Sequence, residues 1–171
     1  MRTRDGLKHQ SLALRSLSVA AIAIAMVGCS SGGSKANTFS IRAVHGEQSA
    51  PCPAPPKPST NAGVLPLVQQ GETVSCLQVA QASVTQKNVT DAKAIEGIGT
   101  GWDVEFVLDS AGADALNRLA VAEQGKQLAT EVDGVVYSAP RVNATDFHGR
   151  GEISRLDEAT AKRIASEMKP T

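Results

Sequence analysis

Residues 125–140 read GKQLATEVDGVVYSAP, and this stretch decides which kind of fold the chain can form. Asp133-Gly134 is a strong signal for a two-residue β-hairpin turn, because both turn positions require a positive φ. Apolar and β-branched residues flank the turn over Leu128–Val132 and Val135–Ala139, which predicts two paired strands. Residues 128–139 are therefore predicted to form an antiparallel hairpin.

Segments on both sides of the hairpin predict further strands and two helices. Apolar residues alternate with polar ones over 102–108, which is typical of a strand with one buried face. The other predicted elements are strands at 77–85, 92–95 and 152–154, a helix capped by Asp109 or Ser110, and a last helix capped by Asp157. Because each helix has one apolar face, this order predicts an α+β fold of two layers, a largely antiparallel sheet with both helices on one face.

The same part of the chain, from about Val74 to Lys169, resembles the head part of the first large extracytoplasmic domain of SecD. The matching residues occur in the family's order: Gly112-Ala113, Leu116, Leu119, Gly125-Lys126-Gln127-Leu128-Ala129, Asp133-Gly134-Val135-Val136, Ser138-Ala139-Pro140, Gly149, Gly151, Ile153, Glu158, Ala159 and Ala165. SecD is a subunit of the SecDF complex that assists protein export. The resemblance implies contact with exported polypeptides or with the Sec translocon.

The sequence also departs from the SecD pattern. Where that family usually has two apolar residues after Leu-Ala, this chain has Thr130 and Glu131, which predicts a strand that is less buried or lies nearer a sheet edge. SecD couples export to ion movement through transmembrane helices, and the sequence after residue 28 has no apolar run of that length. We therefore expect that this chain does not carry out ion-coupled export alone.

The first 28 residues are typical of a bacterial export signal, with four basic residues followed by the apolar run Leu17–Val27. Met26-Val27-Gly28-Cys29 resembles the lipobox of bacterial lipoproteins, although Met26 replaces the usual Leu, Val or Ile. The resemblance implies cleavage before Cys29 and attachment of lipid, such as palmitate, to that cysteine. We expect this lipid to hold the protein at the extracytoplasmic face of the cell membrane. The alternatives are an ordinary secretory signal, or a retained transmembrane helix shorter than the roughly 20 residues that span a bilayer.

Charge and cysteine count limit the remaining possibilities. The chain has 17 basic and 17 acidic residues, and without the first 28 residues its net charge is about −3, which argues against a nucleic-acid partner. If Cys29 carries lipid, Cys52 and Cys76 remain as a pair in an oxidising compartment, which predicts a disulfide. Two free thiols or metal ligands are the alternatives, but His45 and His148 stand at no recognisable ligand spacing.

The sequence predicts three regions. They are a lipoprotein signal peptide at 1–28, a lipid-tethered Ser/Gly- and Pro-rich linker at 29–73, and a SecD-head-like domain at 74–171. Within the linker, Phe39–Val44 alternates apolar and polar residues and is a candidate for a short first strand. The proline-rich residues 51–58 predict an extended connector rather than a central strand.

No catalytic motif is visible, so we expect a protein that is not an enzyme and that has no cofactor and no metal. His148, beside Asp146 and Arg150, could form a small polar site, but it is most simply interpreted as a solvated histidine in a loop. Asp103, Glu105 and Asp109 do not have the spacing of a calcium loop.

A candidate peptide-binding edge is formed by Val135, Val136 and Tyr137, which would accept an extended peptide by strand addition. The alternative is that these residues pack in the core and that the strand edge is covered. The best-supported function is that of a non-enzymatic, lipid-anchored envelope protein that contacts exported polypeptides or the translocon. The alternatives are an envelope adaptor or regulatory lipoprotein with a specific partner and, third, an uncharacterised hydrolase.

Overall fold

The structure is a computed structural model that describes residues 39–53, 60–99 and 101–170. The strands in this part of the chain are β1 Phe39–Ser49, β2 Gly63–Gln69, β3 Glu72–Val79, β4 Val84–Thr85, β5 Val89–Glu96, β6 Trp102–Leu108, β7 Leu128–Val132, β8 Val135–Ser138 and β9 Arg150–Leu156. The helices are α1 Ser110–Ala122 and α2 Glu158–Met168. Neither of these helices is long and apolar enough to cross a membrane.

Five strands form a closed ring. Each pairs with the next in the order β3, β2, β8, β7 and β1, and β1 also pairs with β3, while β4 adds to β1 at the side. All these pairings are antiparallel except β2 with β8, which is parallel and joins Leu67 to Val136. A small apolar core draws on all five strands and therefore fills the ring; its buried residues are Val44, Leu65, Leu67, Leu77, Val79, Ala129 and Val136.

The second sheet is antiparallel and has the order β5-β6-β9. One face of β6 is buried through Val104, Phe106 and Leu108, as the alternation of this segment predicted. Helix α2 packs against β5 and β6, and α1 lies against β4 and β6. The larger apolar core lies among these elements and the outer side of the ring, where the Phe39 and Phe106 rings meet edge to face at 5.1 Å.

The predicted turn and helix caps are confirmed. Asp133 and Gly134 have φ of 52° and 83°, as the two-residue hairpin requires. The Asp109 carboxylate accepts the Gly112 N–H at 2.6 Å and so caps α1. The Asp157 carboxylate accepts the Thr160 N–H at 2.8 Å and so caps α2.

Two glycines of the SecD-like pattern are required by close packing. A Cβ at Gly151 would lie 2.1 Å from Cζ of the Phe106 ring, and a Cβ at Gly112 would lie 2.6 Å from Cβ of Asn88. Both distances are far below van der Waals contact, so a side chain at either position would displace its neighbour. Gly151 thus lets β9 approach the Phe106 ring of the larger core, and Gly112 lets α1 approach Asn88.

Two predictions about the architecture need correction. The α+β class is confirmed, but a single sheet in two layers is wrong, because the β1–β3 pairing closes one sheet into a ring and leaves β5, β6 and β9 as a separate sheet. The candidate first strand at Phe39–Val44 is confirmed as the start of β1, but assigning 45–49 and 63–69 to a linker is wrong, because these residues form the rest of β1 and β2 of the ring. Two parts of the predicted linker, 29–38 and 54–59, and the signal at 1–28 lie outside the described residues.

Candidate functional site

The predicted peptide-binding edge at Val135, Val136 and Tyr137 is occupied by another strand. Strand β8 pairs with β7 on one side and with β2 on the other, and Val136 is completely buried inside the ring. Tyr137 is partly buried, and its hydroxyl accepts a hydrogen bond from Arg163 at 2.8 Å. The prediction of an open edge over Val135 and Val136 is therefore wrong, because β2 fills the position that a peptide would take.

A β-bulge changes the course of the β2–β3 hairpin next to this position. Leu67 is opposite Ser75 and Val68 is opposite Thr73, so Val74 is an extra residue on β3. A bulge bends its strand and redirects a side chain. The Val74 side chain is 46% exposed, and among the described residues only Ile98 and Val121 are other large apolar side chains with such exposure.

A groove of about 980 Å³ lies between the tip of the β2–β3 hairpin, the end of β8 and the end of β9. One wall is the hairpin tip with Val74, the second is Tyr137 to Pro140, and the third is Ser154 to Asp157 at the end of β9. We call this space the β8–β9 groove. Its lining combines hydroxyl, amide and main-chain groups with a smaller apolar surface, which is a composition suited to binding by hydrogen bonds and shape.

The charged groups of the β8–β9 groove are Glu72, Arg155 and Asp157. The pKa of Asp157 is held below its usual value because the backbone N–H and the hydroxyl of Thr160 both donate to its carboxylate. Asp157 therefore carries its negative charge at neutral pH. The groove has two carboxylates against one guanidinium, and its electrostatic character is weakly acidic.

The predicted polar cluster around His148 is an exposed loop. The His148 Nδ1 lies 3.2 Å from an Asp146 carboxylate oxygen, and both side chains are more than half exposed. The Arg150 N–H donates to the Phe147 carbonyl, which closes a turn in this loop. Within the described ranges, no group of three His, Cys, Asp or Glu side chains is placed to hold a metal ion.

Glu131 forms a buried polar cluster that sequence patterns did not predict. The prediction that Thr130 and Glu131 lie in a less buried strand is wrong, because every residue of β7 is buried and Glu131 is completely inaccessible. Its carboxylate pairs with Arg42 Nη2 at 2.7 Å and accepts hydrogen bonds from the Ser40 hydroxyl and, at 2.8 Å, from the Gly134 N–H.

The register of β1 and β7 explains the cluster. Ser40 lies directly opposite Glu131, and Arg42 follows on the same face of β1. Arg42 also donates from Nη1 to the Asn61 carbonyl at 2.6 Å, just before β2 begins. The cluster thus connects β1, β7, the hairpin turn and the approach to β2. The one sequence signal for it was the regular spacing of Ser40 and Arg42 among the apolar residues of 39–44, the buried first half of β1.

The predicted disulfide is confirmed. Cys52 and Cys76 are bonded, with their Cα atoms 5.4 Å apart. Cys76 is a fully buried residue of β3, opposite Gln48 of β1 and Pro66 of β2. The bond therefore fastens the segment just after β1 to strand β3 in the wall of the ring.

We expect loss of this disulfide to destabilise the ring. A cross-link over 24 positions removes about 3 to 4 kcal/mol of unfolded-chain entropy, so Cys52→Ser with Cys76→Ser should lower the free energy of unfolding by up to that amount. Urea unfolding of the oxidised protein and the double variant measures the difference. Equal unfolding midpoints would contradict this expectation.

Comparison with known proteins places this geometry in a family. The family model described as SecDF, P1 head subdomain, matches residues 63–169. Among solved structures, "Crystal structure of SecDF in Super-membrane-facing form" is 18% identical with a TM-score of 0.59, over 79% of this chain and 19% of that one. "Structure and function of a membrane component SecDF that enhances protein export" is 17% identical with a TM-score of 0.55, over 77% of this chain and 61% of that one.

The solved structures share the fold of this chain, and the family model identifies its family. At such identities the solved structures show a shared fold, and this chain spans less than two thirds of the length of either. No curated protein matches the chain. The family model, in contrast, covers more than half of the sequence and includes the hairpin, both helices and every strand from β2 onward. The chain belongs to the SecDF P1 head subdomain family.

Proposed function

We propose that this chain is a non-enzymatic, lipid-anchored envelope protein whose head domain contacts polypeptides during their export. The observation that carries the proposal is the SecDF P1 head match over 63–169 in a chain that begins with a lipoprotein-like signal. One of the SecDF structures is described as a membrane component that enhances protein export. A head domain held by lipid on Cys29 would act at the extracytoplasmic face of the cell membrane, where exported chains emerge.

The surface of the domain is compatible with transient contact. The β8–β9 groove is open and mixed in polarity, and its apolar part is small. Weak binding suits a factor that must release what it holds, because little buried apolar area leaves little surplus over the cost of association. An adaptor for one fixed partner would instead be expected to use a larger apolar interface.

Site-specific photo-crosslinking in cells tests this proposal. A photoreactive residue is placed at three exposed apolar positions of the head, Val74, Ile98 and Val121, because changes there disturb no core. We expect at least one position to capture several different exported polypeptides or a translocon subunit, and the capture should cease when translocation is blocked. A single partner captured equally with and without translocation would contradict the proposal and favour an envelope adaptor or regulatory lipoprotein.

A further inference from the structure

We propose that strand β5 pairs with β5 of a second copy of this chain, antiparallel and centred on Ala92, which joins the two β5-β6-β9 sheets into one. Strand β5 is an end strand of its sheet, with β6 on one side only. The inference goes beyond the proposed function, because it concerns self-association and needs no client polypeptide.

The free edge of β5 presents main-chain groups at every second residue. At the end of the β5–β6 ladder, the Gly97 N–H donates to the Gly101 carbonyl at 3.0 Å. Residues of an antiparallel strand alternate in the side to which they direct their N–H and C=O groups. Ala92, Ala94 and Glu96 therefore direct theirs away from β6. In the part of the chain that the structure describes, nothing bonds to these groups.

The other side of the sheet gives the same alternation independently. The Leu108 N–H of β6 donates to the Gly149 carbonyl just before β9, at 2.8 Å. The even-numbered residues of β6 therefore face β9, and its odd-numbered residues face β5. Since Lys93 lies opposite Glu105, the odd-numbered residues of β5 are the ones that bond to β6. The even-numbered residues from Ala92 onward are thus left for the free edge.

The two faces of β5 differ in chemistry. Ala92 and Ala94 pack in the larger core, on the face that α2 covers. Asp91 and Lys93 project from the opposite face, and both are exposed. The Lys93 ammonium lies 2.9 Å from a Glu105 carboxylate oxygen, whereas among the described residues no group pairs with the Asp91 carboxylate. The exposed face of this edge strand therefore has an unmatched negative charge beside a lysine.

This charge pattern selects the register of the pairing. Centring on Ala92 places Asp91 of each copy directly opposite Lys93 of the other, and the two-fold symmetry makes this contact twice. Centring on Lys93 would place two lysines directly opposite each other, which is destabilising. Centring on Ala94 would place Lys93 opposite Ile95 and leave the Asp91 charge unmatched. Only the register centred on Ala92 is complementary to itself.

Two features of β5 limit the strength of the pairing. Lysines and β-bulges are common means of blocking an exposed strand edge. Here Asp91 supplies the charge that Lys93 would meet in a second copy. The register shift lies between Val89 and Asp91, so the bulge shortens the ladder at one end and leaves its centre at Ala92 regular. The pairing is therefore short and reversible.

Sedimentation equilibrium of the full chain in density-matched detergent micelles tests the inference. We expect the wild-type protein to form a reversible dimer. Asp91→Lys would place lysines opposite lysines at both contacts, and Lys93→Glu would place carboxylates opposite carboxylates, so each should weaken dimerisation about tenfold or more. Asp114→Lys, the same change at an exposed position of α1, should leave the association unchanged.

Mixing the two variants separates specific pairing from a general effect of charge. In a mixed dimer of Asp91→Lys with Lys93→Glu, every pair of facing side chains carries opposite charges. We therefore expect the equimolar mixture to dimerise although neither variant does so alone. A wild-type chain that stays monomeric up to its solubility limit, or a mixture that does not dimerise, would overturn the inference.

Amide hydrogen exchange tests the main-chain pairing itself. The Ala92 N–H should exchange slowly in the wild-type dimer and faster in Asp91→Lys. The Lys93 N–H, which faces β6, should be protected in both proteins and is the internal control. Slow exchange of the Ala92 N–H in a monomer would show that another part of the chain covers this edge, and it would also overturn the inference.

Discussion

Glu131→Gln is expected to lower the free energy of unfolding by about 3 to 5 kcal/mol. The change keeps the size of the side chain but removes its charge, so the buried Arg42 guanidinium loses the carboxylate that lies 2.7 Å from its Nη2. Both side chains of the pair are at most 1% exposed, so water cannot replace the lost partner. The hydrogen bond from Gly134 and the hairpin turn that it supports would also weaken.

Replacing both partners of the ion pair separates this effect from ordinary loss of packing. Replacing both partners, Arg42→Met with Glu131→Leu, should be less damaging than Glu131→Gln, because no charge then remains buried. Lys93→Met is the matched control, since Lys93 and Glu105 form an ion pair with side chains 59% and 39% exposed, and such pairs contribute about 0 to 1 kcal/mol. Urea unfolding gives the four free energies. A loss from Glu131→Gln no larger than that from Lys93→Met would refute the role of the buried pair.

Cys29→Ala is expected to abolish membrane retention. Cys29 lies outside the described residues, so this prediction rests on the lipobox resemblance and on the net charge of about −3 after residue 28. An acidic domain is not attracted to an anionic membrane surface, so the lipid on Cys29 would hold the protein at the membrane. The wild-type protein should incorporate labelled palmitate and sediment with membranes, and the variant should do neither.

The controls for this experiment distinguish lipid from other causes. Cys52→Ser with Cys76→Ser removes the disulfide but keeps Cys29, so this variant should remain at the membrane even if it is less stable. A high-salt wash removes proteins that are bound only by charge. Retention of Cys29→Ala after that wash would show that the signal is uncleaved or that the lipobox interpretation is wrong.

The sequence predicted the strands, turn and helix caps whose signals come from residues adjacent in the chain. Strand β6 has the predicted limits of 102–108, because its alternation is regular and a capping aspartate follows it directly. The hairpin at Asp133-Gly134 was equally clear, since its turn chemistry is specific. The SecD resemblance located the head domain, and the family match extends the domain toward the N-terminus.

Pairings between distant segments were not predicted, because the sequence of a strand does not identify the strand with which it pairs. Residues 63–69 fell within the predicted linker, although this segment is strand β2 of the ring. The single acidic residue of β7 suggested exposure, because its partner Arg42 is 89 positions away. The β8–β9 groove depends on the bulge at Val74, which arises only when β2 and β3 pair.

The position of β1 in the ring has a consequence for the order of assembly. A chain synthesised or exported from its N-terminus exposes β1 first, but β7, which supplies its buried counter-ion, follows almost a hundred residues later. Contacts of such separation form slowly, because a long loop must close before they are gained. Strand β3 emerges much sooner and can hold the end of β1 through the Cys52–Cys76 bond. We therefore expect β1 to pair with β3 first. Its pairing with β7 forms only after the β7–β8 hairpin has been synthesised or exported.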